Sequence, residues 1–338
     1  MAIYERFLST NKNEPITVEG IDFDITDSFN GYDLDGLRFK KFARYPSSVF
    51  AEYIDVISNQ RSSSYSSYAN GIIKEGVVPE TLCALSKDTE MIIDCVAEVV
   101  AGKILNYFEV PVTFETFAKN EDGNLMVLSL DFIESGERFY SLDELGVSIE
   151  DLREVPKSLS KRVFEIFRKK EFGIKTPFDF NKCHNMISQL SEDVVYSILV
   201  RSQVLRDNDL HEGNMGVLIN ADKGTIRMAP NFDLELCFAP DYAYLNRGYD
   251  GLLGYVEKYY PKVYQKFVKK FYEFNTKFPL TGKRFSNNLL YAKSGNAVFR
   301  LDKEHGKMLD ISLSRVEEKL VQIECGKKGE SACEKEKN

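Results

Sequence analysis

The sequence contains no tryptophan, only three histidines, and no apolar run long enough to span a bilayer. Its six cysteines include no C-x-x-C pair, so the usual ligand spacing of a zinc site is missing. In a chain of this length such cysteines indicate reduced thiols. Residues 1–15 are polar and charged and lack the apolar segment of a secretory signal. We therefore expect a cytoplasmic protein without a membrane segment.

A surplus of basic residues is also missing. Lys and Arg number 44 against 52 Asp and Glu, which gives a formal charge of −8. This balance argues against nucleic acid as the main partner, because phosphate backbones are bound by clustered Lys and Arg. It does not exclude a local ATP site. The length of 338 residues indicates two domains or lobes, and 43% hydrophobic residues can supply a sizeable core.

Residues 206–236 carry the strongest functional signal in the chain. Two strand-like runs, residues 215–219 and 225–229, flank a turn-forming segment that contains Gly224. Antiparallel pairing of these runs would gather three polar side chains at one end of a hairpin: Asp209, Asn214 and Asp233. Carboxylate and amide oxygens are ligands for Mg²⁺, and one carboxylate would remain to orient an attacking hydroxyl. The simpler alternative is a polar loop that caps a hairpin.

Two motifs in this stretch resemble those of kinase-like phosphotransferases. Residues 209–214 have the pattern D-x-H-x-x-N, and residues 230–233 have the pattern P-x-[YF]-D. Both patterns are similar to those of the HipA/CtkA-type bacterial serine/threonine kinases, and the first is shared with the aminoglycoside phosphotransferases. The resemblance implies that Asp209 is the catalytic base and that Asn214 and Asp233 are Mg²⁺ ligands.

Neighbouring polar residues are alternatives for the catalytic base and for a metal ligand. His211 has a side-chain pKa suited to a base, but the resemblance implies that it shapes the loop beside the nucleotide. Asp207 is a rival carboxylate at the wrong spacing for the motif, and Glu235 is near enough to Asp233 to join a metal site. Leu234 replaces the glycine of the usual D-F-G segment, so a flip of that segment is not implied.

A lysine–glutamate pair that binds the nucleotide is expected upstream. Residues 81–87 have the pattern of a strand that ends in Lys87, and residues 90–108 have that of a helix that contains Glu98. In kinase folds a strand lysine binds the α- and β-phosphates, and a helical glutamate orients it. Lys87 and Glu98 are our candidates for this pair. Lys40 and Lys41 are alternatives for the lysine.

A predicted strand over residues 125–130 leads into an acidic segment. The resemblance implies that the backbone of this segment receives the adenine edge, at Ser129, Asp131 and Ile133. Upstream, residues 58–71 are rich in serine and form the one low-complexity segment in the body of the chain. We favour a mobile surface loop there, with a phosphate-covering loop or an autophosphorylation target as the alternatives.

Together with the local patterns, the resemblance implies an α+β, two-lobed protein-kinase-like fold with a β-rich N-lobe and a mainly helical C-lobe. We expect the N-lobe over residues 1–134, the C-lobe over residues 135–315, and a charged, partly disordered tail over residues 316–338. The local patterns predict a hairpin over 16–25, a strand over 36–42 and helices over 48–57, 90–108, 161–172, 194–206, 252–259 and 261–274.

The resemblance implies an ATP- and Mg²⁺-dependent serine/threonine protein kinase of HipA-like type, toxin-like and able to phosphorylate itself. Its expected partners are a protein substrate with an accessible Ser or Thr and an antitoxin-like protein. A small-molecule phosphotransferase of the aminoglycoside type would use the same residues. A non-catalytic nucleotide-binding module is the third hypothesis, and the intact set of Asp209, Asn214 and Asp233 argues against it.

Overall fold

A computed structural model describes most of the chain from residue 95 onward and a set of strands before it. The described residues are 8–9, 16–19, 23–24, 29–34, 40–46, 68–75, 82–86, 89–92, 95–119, 125–168, 180–238, 251–277, 290–294, 297–300 and 303–335. The predicted helix over residues 48–57 and most of the serine-rich segment lie outside these ranges.

Strands predominate in the first part of the described chain and helices in the second. The strands are β1 Leu8–Ser9, β2 Ile16–Glu19, β3 Phe23–Asp24, β4 Phe29–Leu34, β5 Lys40–Pro46, β6 Tyr68–Glu75, β7 Leu82–Ser86, β8 Thr89–Ile92, β9 Glu115–Lys119, β10 Leu125–Leu130, β11 Glu137–Ser141, β12 Gly216–Asn220, β13 Thr225–Met228, β14 Leu290–Ser294 and β15 Ala297–Arg300. The helices are α1 Cys95–Tyr107, α2 Val155–Arg168, α3 Phe180–Val200, α4 Leu252–Tyr259, α5 Pro261–Lys277 and α6 Lys303–Lys335. A π-helical segment, Arg201–Leu205, extends α3, and a short 3₁₀ helix covers Glu212–Asn214.

The strands form several separate sheets. The largest has the order β3-β9-β10-β6-β5-β4, and a second has the order β1-β2-β14-β15. A three-stranded antiparallel sheet, β11-β12-β13, lies in the mainly helical C-terminal part, and β7 pairs only with β8 among the described strands. The mixed α+β content with a mainly helical C-terminal part is as predicted.

One hydrophobic core connects the elements around the site. It joins Val99 and Leu105 of α1 to Leu199 of α3, Val217 of β12 and Phe267 of α5, all of them buried. Because α1, α3 and the β12–β13 hairpin share this core, the side chains that they present are fixed relative to one another. Among the described residues, no helix is both long and apolar enough to cross a membrane.

Several elements in the first part of the chain differ from the prediction. The hairpin expected over residues 16–25 is wrong, since β2 pairs with β1 and, in parallel, with β14, whereas β3 pairs in parallel with β9. Strand partners that are this far apart in the sequence cannot be predicted from a local pattern. The helix expected from residue 90 begins at Cys95, because residues 89–92 form β8 against β7. A short apolar run does not distinguish a strand from the start of a helix.

The C-terminal helix also extends further than expected. α6 runs through the boundary that we placed at residue 316 and continues to Lys335. Val316 and Leu320 are buried at i, i+4 spacing, together with Leu313 one turn earlier. This apolar stripe attaches the helix to the core, whereas we expected residues 316–338 to form a charged, partly disordered tail.

Lys103 of α1 gives a prediction about pH and stability. Burial lowers the pKa of its amine from 10.5 to about 8, and nearby Glu115 partly opposes this shift. Below pH 8 the native state buries a charged amine, whereas between about pH 8 and 10.5 the denatured state binds more protons. Raising the pH from 7 to 9.5 should therefore increase the wild-type free energy of unfolding relative to Lys103→Met by on the order of 2 kcal/mol. Urea titrations of both proteins at the two pH values measure this, and a constant difference would contradict it.

Candidate active site

The β12–β13 hairpin brings the two predicted polar loops together. The strands pair antiparallel, with Val217 opposite Met228 and Asn220 opposite Thr225. Beyond the ladder, the Ala229 N–H donates to the Gly216 carbonyl at 2.9 Å. The pairing therefore places the segment before β12 beside the segment after β13, as the sequence predicts.

The loop before β12 holds Asp209 and Asn214 in direct contact. The Asn214 Nδ2 donates to Asp209 Oδ2 at 2.7 Å and to the Asp209 carbonyl at 3.1 Å. Asn214 is buried, and its N–H donates to the His211 carbonyl at 3.1 Å. Because Nδ2 is committed to Asp209, the Oδ1 atom of Asn214 is the oxygen that this side chain offers to a ligand.

His211 shapes this loop. Its Nδ1 accepts the Gly213 N–H at 3.0 Å, which caps the 3₁₀ helix. A Cβ atom at residue 213 would lie 2.7 Å from the imidazole Cε1, so a larger residue there would displace the His211 ring. The other ring nitrogen, Nε2, lies 3.7 Å from Asp209 Oδ1. His211 therefore supports the loop and faces the Asp209 carboxylate.

The Asp209 carboxyl has an unusual electrostatic environment. Burial raises its pKa, and the charges of Asp207 and Asp233 raise it further, against the opposing effects of His211 and the Asn214 hydrogen bond. With 39% of its side chain exposed, Asp209 also remains accessible to a substrate.

The loop after β13 and helix α1 meet at Lys74, which lies outside the predicted pair of Lys87 and Glu98. Lys74, on β6, forms a buried ion pair with Glu98, and its Nζ also lies 3.1 Å from Asp233 Oδ1. Glu98 lies in the first turn of α1 and is fully buried. Lys74 thus contacts the candidate glutamate and one candidate metal ligand, whereas Lys87 lies outside the described residues.

The sequence nevertheless contains a signal for Lys74. Gly71-Ile72-Ile73-Lys74 is an apolar strand run that ends in lysine, similar to the V-A-I-K strand of protein kinases. The run overlaps at Gly71 the serine-rich segment 58–71, for which the sequence predicts a mobile surface loop. Residues 68–71 in fact belong to β6, which pairs with β5 and β10 at the centre of the largest sheet.

Asp233 has a backbone conformation that few residues adopt. Its φ of 58° lies in the left-handed region, where Asp is tolerated better than most side chains. Its side chain is 25% exposed and lies in a cluster of carboxylates. Oxygen atoms of Glu98, Asp233 and Glu235 lie within 4.8 Å of one another. Hard oxygen donors of this kind fit Mg²⁺, so the residues present suit the predicted metal.

The expected adenine-binding segment lies at the end of β10. Ser129 is buried and pairs with Ile72 of β6, the strand that carries Lys74. Asp131 Oδ1 accepts the Ile133 N–H at 3.0 Å, and the Ile133 side chain is exposed. The structure therefore places these residues near β6, and their role in nucleotide binding stays a prediction.

A cleft of about 860 Å³ lies elsewhere on the protein. It is bordered by the end of α1, by α3, by the β13 edge at Ile226 and Met228, and by Lys270 and Glu273 of α5. None of the predicted site residues lines it. The candidate active site is therefore defined by its side-chain contacts and not by this cleft.

Comparisons with known proteins find structural similarity without sequence similarity. Neither the protein-family models nor the curated proteins include a match to this sequence. The chain is similar to the Helicobacter pylori proinflammatory kinase CtkA, with 12% identity, a TM-score of 0.43, and coverage of 87% of this chain and 93% of that chain. It is also similar to the Shewanella oneidensis MR-1 toxin–antitoxin complex of HipA, HipB and operator DNA, with 10% identity, a TM-score of 0.39, and coverage of 86% and 65%.

Proposed function

We propose that this chain is an ATP- and Mg²⁺-dependent kinase of HipA/CtkA type that transfers the γ-phosphoryl group of ATP to a Ser or Thr hydroxyl of a protein. The observation that carries the proposal is the contact of Lys74 with both Glu98 and Asp233. The hairpin pairing places the Asp209–Asn214 loop beside the segment that leads to Asp233. A strand lysine, a helical glutamate and two acidic loops converge in the way that phosphoryl transfer requires.

In this mechanism Asp209 accepts the proton of the attacking hydroxyl. Its Oδ2 is held by Asn214, whereas the carboxylate as a whole remains partly exposed. The raised pKa makes it a better proton acceptor than an ordinary aspartate. The hydrogen bond from Asn214 fixes the direction in which the carboxylate faces, so the hydroxyl is oriented before the transfer.

The phosphates of ATP would lie against Lys74. Its ammonium group faces Asp233 and is oriented by Glu98, which is fully buried and belongs to a rigid helix. Asn214 Oδ1 and the Asp233 carboxylate would hold Mg²⁺, which neutralises charge on the β- and γ-phosphates when bound. Positioning and charge neutralisation supply most of the rate in such a reaction.

Other parts of the proposal rest on the sequence resemblance. They are the two-lobed arrangement, the adenine contact at Ser129, Asp131 and Ile133, autophosphorylation, a toxin-like role, and an antitoxin-like protein partner. The expected location in the cytoplasm belongs to the same group.

The test is incubation of the full chain with γ-labelled ATP and Mg²⁺, alone, with dephosphorylated casein, and with kanamycin. The expected result is label on Ser or Thr of the chain or of casein. No label should form when EDTA is present from the start of the reaction. Label in kanamycin alone would instead support a small-molecule phosphotransferase. Binding of ATP without turnover would overturn the kinase proposal in favour of a non-catalytic nucleotide-binding module.

Replacement of Lys74 should weaken phosphoryl transfer, whereas the same replacement of Lys87 should not. Lys74→Met leaves the carboxylates of Glu98 and Asp233 without the ammonium group that they both contact. We expect kcat/KM for ATP to fall roughly 10- to 100-fold, since one charge-assisted contact to phosphate is lost. Initial-rate kinetics over a range of ATP concentrations measure this. A loss confined to Lys87→Met would restore the original assignment of Lys87.

A further inference from the structure

Arg201, at the end of α3, has a fully buried guanidinium. Its Nε donates to Asp207 Oδ2 at 2.6 Å, and its NH2 lies 2.5 Å from the same oxygen. The other carboxylate oxygen, Asp207 Oδ1, accepts the Asp209 N–H at 3.0 Å. One carboxylate therefore connects Arg201 to the backbone of the proposed catalytic base.

The remaining guanidinium nitrogen, NH1, contacts both polar loops at once. It donates to the Asn214 carbonyl at 3.0 Å and to Asn231 Oδ1 at 3.1 Å. Asn214 belongs to the loop of the proposed base, and Asn231 lies two residues before Asp233. The planar fork of a guanidinium can serve both acceptors in fixed directions, which an ammonium group cannot.

Asn231 extends the network to the segment that follows α1. Its Nδ2 and its N–H both donate to the Pro111 carbonyl, at 2.7 and 2.8 Å, and its own carbonyl accepts the Thr113 N–H at 2.8 Å. Ser197 of α3 donates to Asn231 Oδ1 at 2.9 Å. The backbone just before Asp233 is thus attached to α3 and to the segment after the helix of Glu98.

The backbone around Arg201 departs from a regular helix where it reaches the site. Arg201 begins the π-helical segment, and its carbonyl accepts the N–H groups of both Arg206 and Asp207. Arg206 then turns into the left-handed region with a φ of 47°. Such π-bulges occur often at functional sites. Here the bulge directs the chain so that Asp207 returns to the Arg201 side chain.

Stability alone is a weak reason for this arrangement. A buried ion pair replaced by apolar residues of similar volume often leaves a protein as stable or more stable, because the desolvation of two charges is avoided. What an apolar pair cannot supply is the set of directed hydrogen bonds to Asp207, Asn214 and Asn231. Misplacement of catalytic groups by about 1 Å can cost about 100-fold in rate.

We propose that Arg201 is a positioning residue that holds the loop of Asp209 and Asn214 and the loop of Asp233 in one fixed arrangement, through Asp207, the Asn214 carbonyl and the Asn231 side chain. This inference rests on the proposed kinase function. Arg201 lies outside the sequence motifs that indicated the site, and Asn231 occupies the variable position of the second motif. Neither is assigned a contact with the reacting atoms.

The test compares the double variant Arg201→Met/Asp207→Leu with wild type. It removes both buried charges together, so the thermal midpoint should fall less than in either single variant. Some loss is expected because the Asn214 carbonyl and the Asp209 N–H each lose a hydrogen-bond partner. We expect kcat to fall at least about tenfold, with a smaller change in KM for ATP, because the loops lose their mutual placement. The matched control is Arg162→Met/Glu165→Leu, the corresponding substitutions at an exposed ion pair on α2. This control should leave kcat, the KM for ATP and the thermal midpoint at their wild-type values.

Arg201→Lys is the second variant, in case the double variant does not fold. It keeps the charge beside Asp207 but cannot make the hydrogen bonds to both loops, so kcat should again fall while the thermal midpoint changes little. Wild-type kcat in either folded variant would overturn the positioning role and leave the kinase proposal intact. Absence of phosphoryl transfer by wild type itself would overturn the kinase proposal and, with it, this role.

Discussion

Asp209→Asn should lower the rate of phosphoryl transfer by about 100- to 10,000-fold, the usual contribution of a general base. The substitution is nearly isosteric and keeps an oxygen able to accept the Asn214 Nδ2 hydrogen bond, so the loop should keep its shape. What is lost is the ability to accept a proton from the attacking hydroxyl. Because we propose that ATP contacts other residues, its dissociation constant should change little. Single-turnover transfer and equilibrium ATP binding, measured on the same preparation, separate the two quantities.

The control for this variant is Asp222→Asn in the exposed turn of the same hairpin. It makes the same chemical change outside the site, so its rate should equal that of wild type. His211→Asn tests the rival base while keeping a side chain able to cap the 3₁₀ helix. A large loss in His211→Asn together with near wild-type transfer by Asp209→Asn would assign the proton transfer to the histidine. Full activity of Asp209→Asn would contradict the mechanism.

The predicted hairpin shows what local sequence patterns can determine. The apolar runs and the glycine-containing turn predicted β12 and β13, and the observed strands agree with the prediction within one residue at all four ends. That pairing brings the segment of Asp209 and Asn214 beside the segment of Asp233. Such information is local, because strand period, turn residues and a following proline are all encoded within about twenty residues.

The lysine of the site shows the limit of the same approach. Lys74 and Glu98 are distant in the sequence, and their contact depends on where β6 lies within the six-stranded sheet. The local pattern of residues 81–87 was correct for strand β7, but the contact of Glu98 is with the strand before it. Choosing among several lysines at strand ends requires the sheet order, which no local pattern contains.

Arg201 was missed for a different reason. In the sequence it follows an apolar helical stretch and has the character of an ordinary residue at a helix end. A buried arginine becomes recognisable only when its partners are known, and these lie on three segments: Asp207, Asn214 and Asn231. Because charged residues are almost never fully buried unless paired, nothing in the sequence around Arg201 indicates that its side chain is buried.

Asp233→Asn should raise the Mg²⁺ concentration needed for half-maximal rate and lower the maximal rate by roughly 100-fold or more, since a metal supplies several kcal/mol of transition-state stabilisation. The variant removes one anionic ligand while Lys74 retains its contact with Glu98, so the lysine should remain in place. Rates measured over a range of Mg²⁺ concentrations, and Mn²⁺ binding followed by electron paramagnetic resonance, report the metal site independently of turnover.

Glu235→Gln is the informative companion to this variant. Its carboxylate lies within 4.8 Å of those of Glu98 and Asp233, so it is either part of the metal site or a buried neighbour of it. If Glu235 binds the metal, Glu235→Gln should raise the Mg²⁺ requirement as Asp233→Asn does. If it is a neighbour, the Mg²⁺ requirement should stay at the wild-type value. An unchanged Mg²⁺ requirement in Asp233→Asn itself would mean that the cation is held elsewhere, and the assignment of Asp233 as a metal ligand would then fail.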